Sequence, residues 1–259
     1  MPKIRGNGKN RFLGWLTDWG GAASLLISIG TGAYTFYANE VSGPEDQRLA
    51  SFQTAISTIN TINQETQAKI AQTEDSALQM SYGIAANTQK NLVVNEAERA
   101  FAKISDKDKK SINPYDLLIL AGEDGQMGKF DVMDDYIKLA DSNTTDRKDY
   151  VTIANITALR AVEALGREGP SGMDKARIFY GQAQGLLAEA PAPQVHIRRA
   201  GMYVDMLTTE VSIGDCTEAQ KDKDAFDEQL KFFQGTRDAQ TLARVTQEFL
   251  SSHARCSIT

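Results

Sequence analysis

The stretch that decides the fold is residues 113–140, which read NPYDLLILAGEDGQMGKFDVMDDYIKLA. Asn113 before Pro114 is typical of a helix start, because Asn caps free backbone amides and Pro needs no amide partner at the first helical position. Apolar residues then recur at helical spacing on both sides of Gly128, a residue type that favours turns. The stretch therefore predicts two helices joined by a short turn, which is a helical hairpin.

Turn-favouring glycines recur along the rest of the chain. Gly172 lies 44 residues after Gly128, and Gly214 lies 42 residues after Gly172. The predicted helices that accompany these glycines include Tyr150–Leu165, Val195–Ile213 and Thr217–Phe233, with a longer turn over 166–172. No run of alternating β-branched residues predicts a strand. The pattern predicts an all-α solenoid of about three helical hairpins over 113–256, since one hairpin cannot bury its apolar face alone.

This pattern resembles the tetratricopeptide-repeat family over roughly residues 114–234. Its first unit combines a small residue late in helix one, the turn Gly128-Lys-Phe130 and four-then-three spacing in helix two, at Ala121, Met133, Ile137 and Ala140. The second unit repeats the rhythm at Ala176, Tyr180 and Ala183, and the third, with Ala200-Gly201 and Ala219, matches less well. The resemblance implies a curved stack whose concave face binds peptides or partner proteins. A helical bundle without repeats is the alternative.

Residues 1–38 carry a pattern typical of a membrane anchor. A basic tip over 1–14 holds four Lys or Arg and no acid, and Trp19–Ala38 holds no charged residue. Twenty helical residues span roughly 30 Å, about the thickness of a bilayer core. We therefore predict a transmembrane helix over 15–38, rather than a cleaved signal peptide or a buried helix. Its predicted anchor and packing residues are Trp15, Trp19, Tyr34 and Tyr37, and Gly20, Ala23, Ser24 and Gly32.

The charge distribution also predicts an orientation for this anchor. Because basic flanks stay on the cytoplasmic side, the N-terminus is expected in the cytoplasm and the acidic remainder in the periplasm or outside the cell. Gly235 separates two helices that are predicted to run antiparallel, and Cys216 and Cys256 lie at similar distances before and after it. We predict a disulfide between them, which fits an oxidising compartment, with two unpaired thiols as the alternative.

Residues 45–104 are predicted to form one long helical stalk with a heptad stripe. The stripe runs from Leu49, Phe52, Ile56 and Ile59 to Met80 and Ile84. Such a stripe favours a helix packed along one seam. Three outcomes remain open: a homo-oligomer formed through 45–104, packing against the helical domain of the same chain, and both together.

Signs of chemistry are missing from the sequence. The two histidines, His196 and His253, do not have metal-ligand spacing, and no nucleophile or phosphate-binding motif occurs. We predict no catalytic residue, no cofactor and no metal, and the formal charge of −6 disfavours nucleic acid as a partner. The function predicted is a membrane-anchored protein-binding scaffold, with a structural accessory subunit of a membrane complex, assembled through its transmembrane helix, as the alternative.

Overall fold

The computed structural model describes residues 44–73, 76–146, 148–190 and 194–252, together with residues 256 and 258. These ranges form helices and contain no strand, which confirms the all-α prediction. The helices are α1 (Pro44–Gln72), α2 (Ser76–Ala102), the short α3 (Asp106–Lys109), α4 (Pro114–Gln126), α5 (Phe130–Asn143), α6 (Tyr150–Glu168), α7 (Met173–Ala188), α8 (Gln194–Ile213), α9 (Cys216–Lys231) and α10 (Arg237–Ser252).

The long helices pack as antiparallel pairs in chain order. The pairs are α1 with α2, α4 with α5, α6 with α7, and α8 with α9. The first helix of each pair packs on the pair before it: α4 packs on α1 and α2, α6 packs on α4 and α5, and α8 packs on α7, while α10 packs on α8. The described ranges thus form a stack of four hairpins and a final helix. Three hairpins lie within 113–256, as the sequence predicted, and the fourth lies in 44–102. We call α1 and α2 the arm, and α4–α10 the body.

Helix starts and turns follow the predicted local chemistry. The Asn113 side-chain oxygen accepts from the Tyr115 amide at 3.0 Å, and Pro114 is the first residue of α4. Gly128 and Gly214 have φ angles of 74° and 87°, which an L side chain rarely adopts. The predicted turns after α4 and after α8 are therefore confirmed.

One predicted turn begins later than expected. Gly166 lies inside α6, and the chain leaves the helix only after Glu168, through a 3₁₀ turn over Gly169–Gly172. A Cβ atom on Gly166 would lie 2.1 Å from Cε1 of Phe130. This glycine therefore lets the first residue of α5 pack directly against the backbone of α6.

The small and apolar residues whose spacing predicted the hairpins lie in the core of the body. Ala121, Met133, Ile137 and Ala140 are buried in the first body hairpin, and Ala176, Tyr180 and Ala183 in the second. The C-terminal end is joined by a disulfide between Cys216 and Cys256, whose Cα atoms are 5.2 Å apart. This bond ties the chain after α10 to the first residue of α9, the pairing that the sequence predicts.

The prediction of one long stalk over 45–104 is wrong. The chain folds back between α1 and α2, so the two helices run side by side. Phe52, Ile56 and Ile59 enter one core with Leu117 and Ile137 of the body, and the stripe thus packs within its own chain. Met80 and Ile84, which the stripe assigns to the same seam, are exposed.

The prediction of a single-pass membrane protein is also corrected. Among the helices of the described ranges, none combines the length and apolar character needed to cross a bilayer. The longest two are interrupted by charged residues, such as Glu65 and Lys69 in α1 and Lys90 in α2. The proposed spanning segment 15–38, with its anchor and packing residues, and the basic tip 1–14 lie outside the described residues.

Candidate protein-binding surface on the N-terminal hairpin

Hydrogen bonds at the two ends of the arm, each from one helix to the residue that follows the other, show how α1 and α2 are aligned. At one end, Arg48 Nη1 donates to the Lys103 carbonyl at 3.1 Å. At the other, Gln79 Nε2 donates to the Thr73 carbonyl at 2.7 Å. In this antiparallel register, Leu92 lies level with Thr58, near the middle of α1.

Buried charges join the arm to the body. Lys90 Nζ lies 2.8 Å from Glu123 Oε2, and both side chains are almost fully buried. Asn63 of α1 donates to the same carboxylate at 3.3 Å, so Glu123 holds both helices of the arm. Removing one partner of such a pair leaves an uncompensated buried charge, which is strongly destabilising.

A second polar cluster and an aromatic cluster reinforce the junction. Lys129 Nζ lies 2.6 Å from Glu98 of α2 and 3.2 Å from Asp124 of α4. Burial, together with the nearby Glu98, raises the pKa of Asp124 to about 7. Phe101 of α2 packs on Tyr136 of α5, with ring centroids 4.9 Å apart. The arm is therefore firmly attached to the body along one side.

On the opposite side of the arm, no other helix of the described ranges covers α1 and α2. Two adjoining grooves of about 640 and 580 Å³ run along it between α1 and α2. They share Gln47, Ser51, Glu96 and Ala100, and we call the surface that contains them the outer face. Its residues are Gln47, Arg48, Ala50, Ser51, Thr54, Ala55 and Thr58 of α1, Val93, Glu96, Arg99 and Ala100 of α2, and Lys103.

Beyond Arg48, the α1 side of the outer face is neutral and only weakly polar. No charged residue occurs between Arg48 and Glu65. The hydroxyls of Ser51 and Thr58 donate to the carbonyls four residues earlier, at 2.7 and 2.9 Å, and Thr61 does the same at 3.0 Å. Because the helix already satisfies these hydroxyl donors, covering them with another chain costs little desolvation.

The α2 side of the arm exposes large apolar side chains. Seven such residues are exposed in the described ranges, and four of them, Leu78, Met80, Ile84 and Leu92, lie on α2. Leu92 is 65% exposed and stands one helical turn from Glu96, at the rim of the grooves. Single exposed apolar residues are ordinary, whereas a group of them on one helix marks an interaction surface.

Charge is concentrated at one end of the outer face. Arg48, Arg99 and Lys103 lie there against a single acid, Glu96. Beyond the grooves, α1 carries an exposed acid, Glu65, and an exposed base one turn later, Lys69. The outer face thus has a basic end and a neutral middle with Leu92 at its rim.

Other polar clusters of the described residues connect hairpins of the body. Arg177 of α7 bonds Glu210 of α8 at 3.0 Å and Asp215, the N-cap of α9, at 2.6 Å. Burial, and the charge of Asp222 beside it, raise the pKa of Glu210 to about 8. Arg198 of α8 donates to Asn155 of α6 at 3.2 Å. These bonds hold successive hairpins together, which is a structural role.

The remaining residues that the sequence singled out form no site. His196 stacks on the Phe232 ring, with centroids 4.0 Å apart, and its Nδ1 lies 3.0 Å from Gln229. His253 lies outside the described residues. Within the part of the chain that the structure describes, no group of His, Cys, Asp and Glu is placed to hold a metal ion.

Comparison with protein-family models, curated proteins and solved structures finds no match for this chain. The tetratricopeptide-repeat resemblance therefore stays a prediction. The sequence analysis did not predict the outer face, because the heptad stripe continues through Met80 and Ile84 and therefore suggested one uninterrupted helix. The signal that could have revealed it is the polar run Thr73-Glu-Asp-Ser76, which interrupts the stripe where the chain folds back.

Proposed function

We propose that this chain is a helical-hairpin scaffold that binds another protein chain on the outer face of its arm. The observation that carries the proposal is the uncharged, groove-forming stretch of α1 with the exposed Leu92 of α2 at its rim. Three further exposed apolar side chains, Leu78, Met80 and Ile84, lie nearer the start of α2. In the body, a second helix such as α7 buries Ala176, Ala183 and Leu187 between neighbouring helices. On its outer side the arm has no neighbouring hairpin among the described residues.

Energetics and geometry support a helix as the bound element. Burying one exposed Leu side chain contributes about 1.5–3 kcal/mol, and the α1 stripe adds little opposing desolvation. A groove between two antiparallel helices, lined by small side chains such as Ala50 and Ala100, accepts a third helix at close range. The proposed activity is therefore binding and alignment of a partner.

A photocrosslinking amino acid placed at Leu92 tests this proposal in the cells that make the protein. The matched control carries the same amino acid at Ile178 of α7, an apolar residue that is 60% exposed and lies on the body. We expect a discrete crosslinked product from position 92 and none from position 178. The product is identified by mass spectrometry.

Two outcomes contradict the proposal. One is the absence of any crosslinked product at position 92 while the variant is present and folded. The other is the same set of products at positions 92 and 178, which would show that any exposed apolar residue of this chain reacts with its surroundings.

A further inference from the structure

We infer that one proton, shared between Glu98 of the arm and Asp124 of the body, controls how often the arm opens away from the body. Loss of this proton leaves two carboxylates beside one lysine at the junction, and the open state becomes more populated. The inference concerns the inner side of the arm. It is independent of the outer face and of the proposed function.

Two carboxyl groups and one ammonium group meet where α2 packs on α4. Lys129 Nζ lies 2.6 Å from Glu98 Oε1 and 3.2 Å from Asp124 Oδ1. The Asp124 side chain is fully buried, and when both acids are ionised no described residue donates a hydrogen bond to its oxygens. An ionised Asp124 is therefore a buried carboxylate compensated only by an ammonium group that already bonds Glu98, and burying such a charge is costly.

Protonation of one acid removes this conflict. A protonated Asp124 hydrogen-bonds the Glu98 carboxylate, which leaves Lys129 paired with a single negative charge. Burial, and the Glu98 carboxylate beside it, raise the pKa of Asp124 to about 7. An Asp side chain in water has a pKa of about 4. The closed junction therefore keeps a proton that the open junction releases, so the open state gains population as pH rises.

The other titratable groups at the junction do not replace this proton. Lys90 of α2 and Glu123 of α4 neutralise each other at 2.8 Å. Burial, and the charges of Asp124 and Glu98, raise the pKa of the Tyr136 phenol on α5, which therefore stays neutral. The remaining charged side chains of the packed helices are exposed or pair elsewhere. Exposed are Arg48, Glu65 and Lys69 of α1, Glu96 and Arg99 of α2, and Asp135 of α5, whereas Arg160 of α6 pairs with Asp141, and Arg167 with Glu163 and Asp131.

The position of the arm in the stack allows it to open by itself. In a stack of hairpins each unit contacts only its neighbours, so a terminal unit opens by breaking one interface. Among the described helices, the arm packs on the body through α4. Ala97, next to Glu98 on α2, is fully buried in the core that the arm shares with the body. Reagents in solution therefore reach position 97 only when this core opens.

The reactivity of a cysteine at position 97 tests the inference in the full-length chain. Because the native cysteines form a disulfide, Ala97→Cys supplies a unique free thiol among the described residues. Its reaction with a dipyridyl disulfide is followed from pH 5 to pH 8. Each rate is divided by the rate of the same variant unfolded in urea, which removes the pH dependence of the thiol itself. We expect this ratio to rise by up to about tenfold per pH unit and to level off above about pH 7.

Three further substitutions in the Ala97→Cys chain decide the origin of the rise. Asp124→Asn should abolish it, because the amide does not titrate. Glu98→Gln should make the ratio level off at a lower pH, because Lys129 then compensates Asp124 alone. The matched control is Glu210→Gln, which removes a buried acid of the body and should leave the profile unchanged, since opening of the arm leaves Glu210 covered.

Two results overturn the inference. One is a profile that neither Asp124→Asn nor Glu98→Gln changes, with circular dichroism showing that the helices remain formed; if one of these variants does not fold, the other decides. The second is a profile that Glu210→Gln flattens as much as Asp124→Asn does, because position 97 would then be reached only by unfolding of the whole chain.

Discussion

The arm and the body are built from the same unit and differ in how many neighbours each unit has. Hairpin α6–α7 packs between two others and buries Ala176, Ala183 and Leu187 of its second helix. Among the described residues, hairpin α1–α2 packs on the body on one side only, and Leu92 is 65% exposed. The other side of the arm is the outer face, on which the proposed function rests.

The largest effect on stability is expected from removing the disulfide at the C-terminal end of the body, which has no counterpart in the described residues of the arm. Replacing Cys216 and Cys256 together by serine opens a loop that spans 40 residues. The loop-closure relation gives a loss of about 4 kcal/mol in the free energy of unfolding. Urea denaturation measures it, and a reducing agent should lower the wild-type midpoint equally without affecting the double variant. An unchanged midpoint would show that α10 is held without the bond.

The next test compares equivalent leucines in the two regions. Leu187→Ala in the body should cost about 2–5 kcal/mol, because it opens a cavity among packed helices. Leu92→Ala on the arm should change the stability of the monomer by less than about 0.5 kcal/mol. Thermal unfolding of both variants at low concentration measures the difference. Equal losses would mean that Leu92 is packed within its own chain.

Substitutions at two glycines, Gly166 and Gly181, test how closely the helices of the body pack. Gly166→Ala should cost about 1–3 kcal/mol, because the new methyl group displaces the Phe130 ring from between α5 and α6. Gly181→Ala is the control, since nothing lies within 4 Å of its added Cβ and alanine favours a helix interior by about 0.5–1 kcal/mol. Opposite shifts in melting temperature are expected. A neutral Gly166→Ala would refute the direct contact.

A pH dependence of stability is also expected, and it comes from buried acids. The folded-state pKa is raised to about 8 for Glu210 and to about 7 for Asp124, chiefly by burial. A raised acid pKa means that the native state binds more protons than the unfolded chain, so stability falls as pH rises. Each group contributes at most about 1.4 kcal/mol per pH unit.

Thermal unfolding between pH 5 and pH 8 measures this slope. The melting temperature should be higher at pH 5, and Glu210→Gln should flatten the decline because the amide does not titrate. A melting temperature that rises toward pH 8, or an unchanged slope in Glu210→Gln, would contradict the assignment of the protonated state to this buried acid.

Local chemistry predicted much of the body. Asn113, Gly128 and Gly214 act through their own backbone and immediate neighbours, so their roles were visible in the sequence. The helices predicted to begin at Tyr150, Val195 and Thr217 begin and end within three residues of their predicted bounds. The pairing of Cys216 with Cys256 followed from the same reasoning, because two antiparallel helices return to their starting end.

The arm could not be predicted in this way. Whether Met80 and Ile84 extend a seam or face solvent depends on where the chain reverses, and neither Gly nor Pro marks that reversal. The junction through Lys90 and Glu123 joins residues far apart in sequence, and their types alone carry no pairing signal. Gly166 was wrongly predicted to begin a turn, because the need for a glycine there comes from the Phe130 ring of another helix.

Chemical labelling of a single thiol tests most directly whether another chain covers the outer face. The two native cysteines form a disulfide, so Leu92→Cys or Ile178→Cys introduces a unique free thiol among the described residues. In undiluted cell extract, we expect a maleimide to label position 92 at least tenfold more slowly than position 178. In purified, dilute protein, we expect the two positions to be labelled equally fast. Equal rates in the extract would contradict a covered outer face.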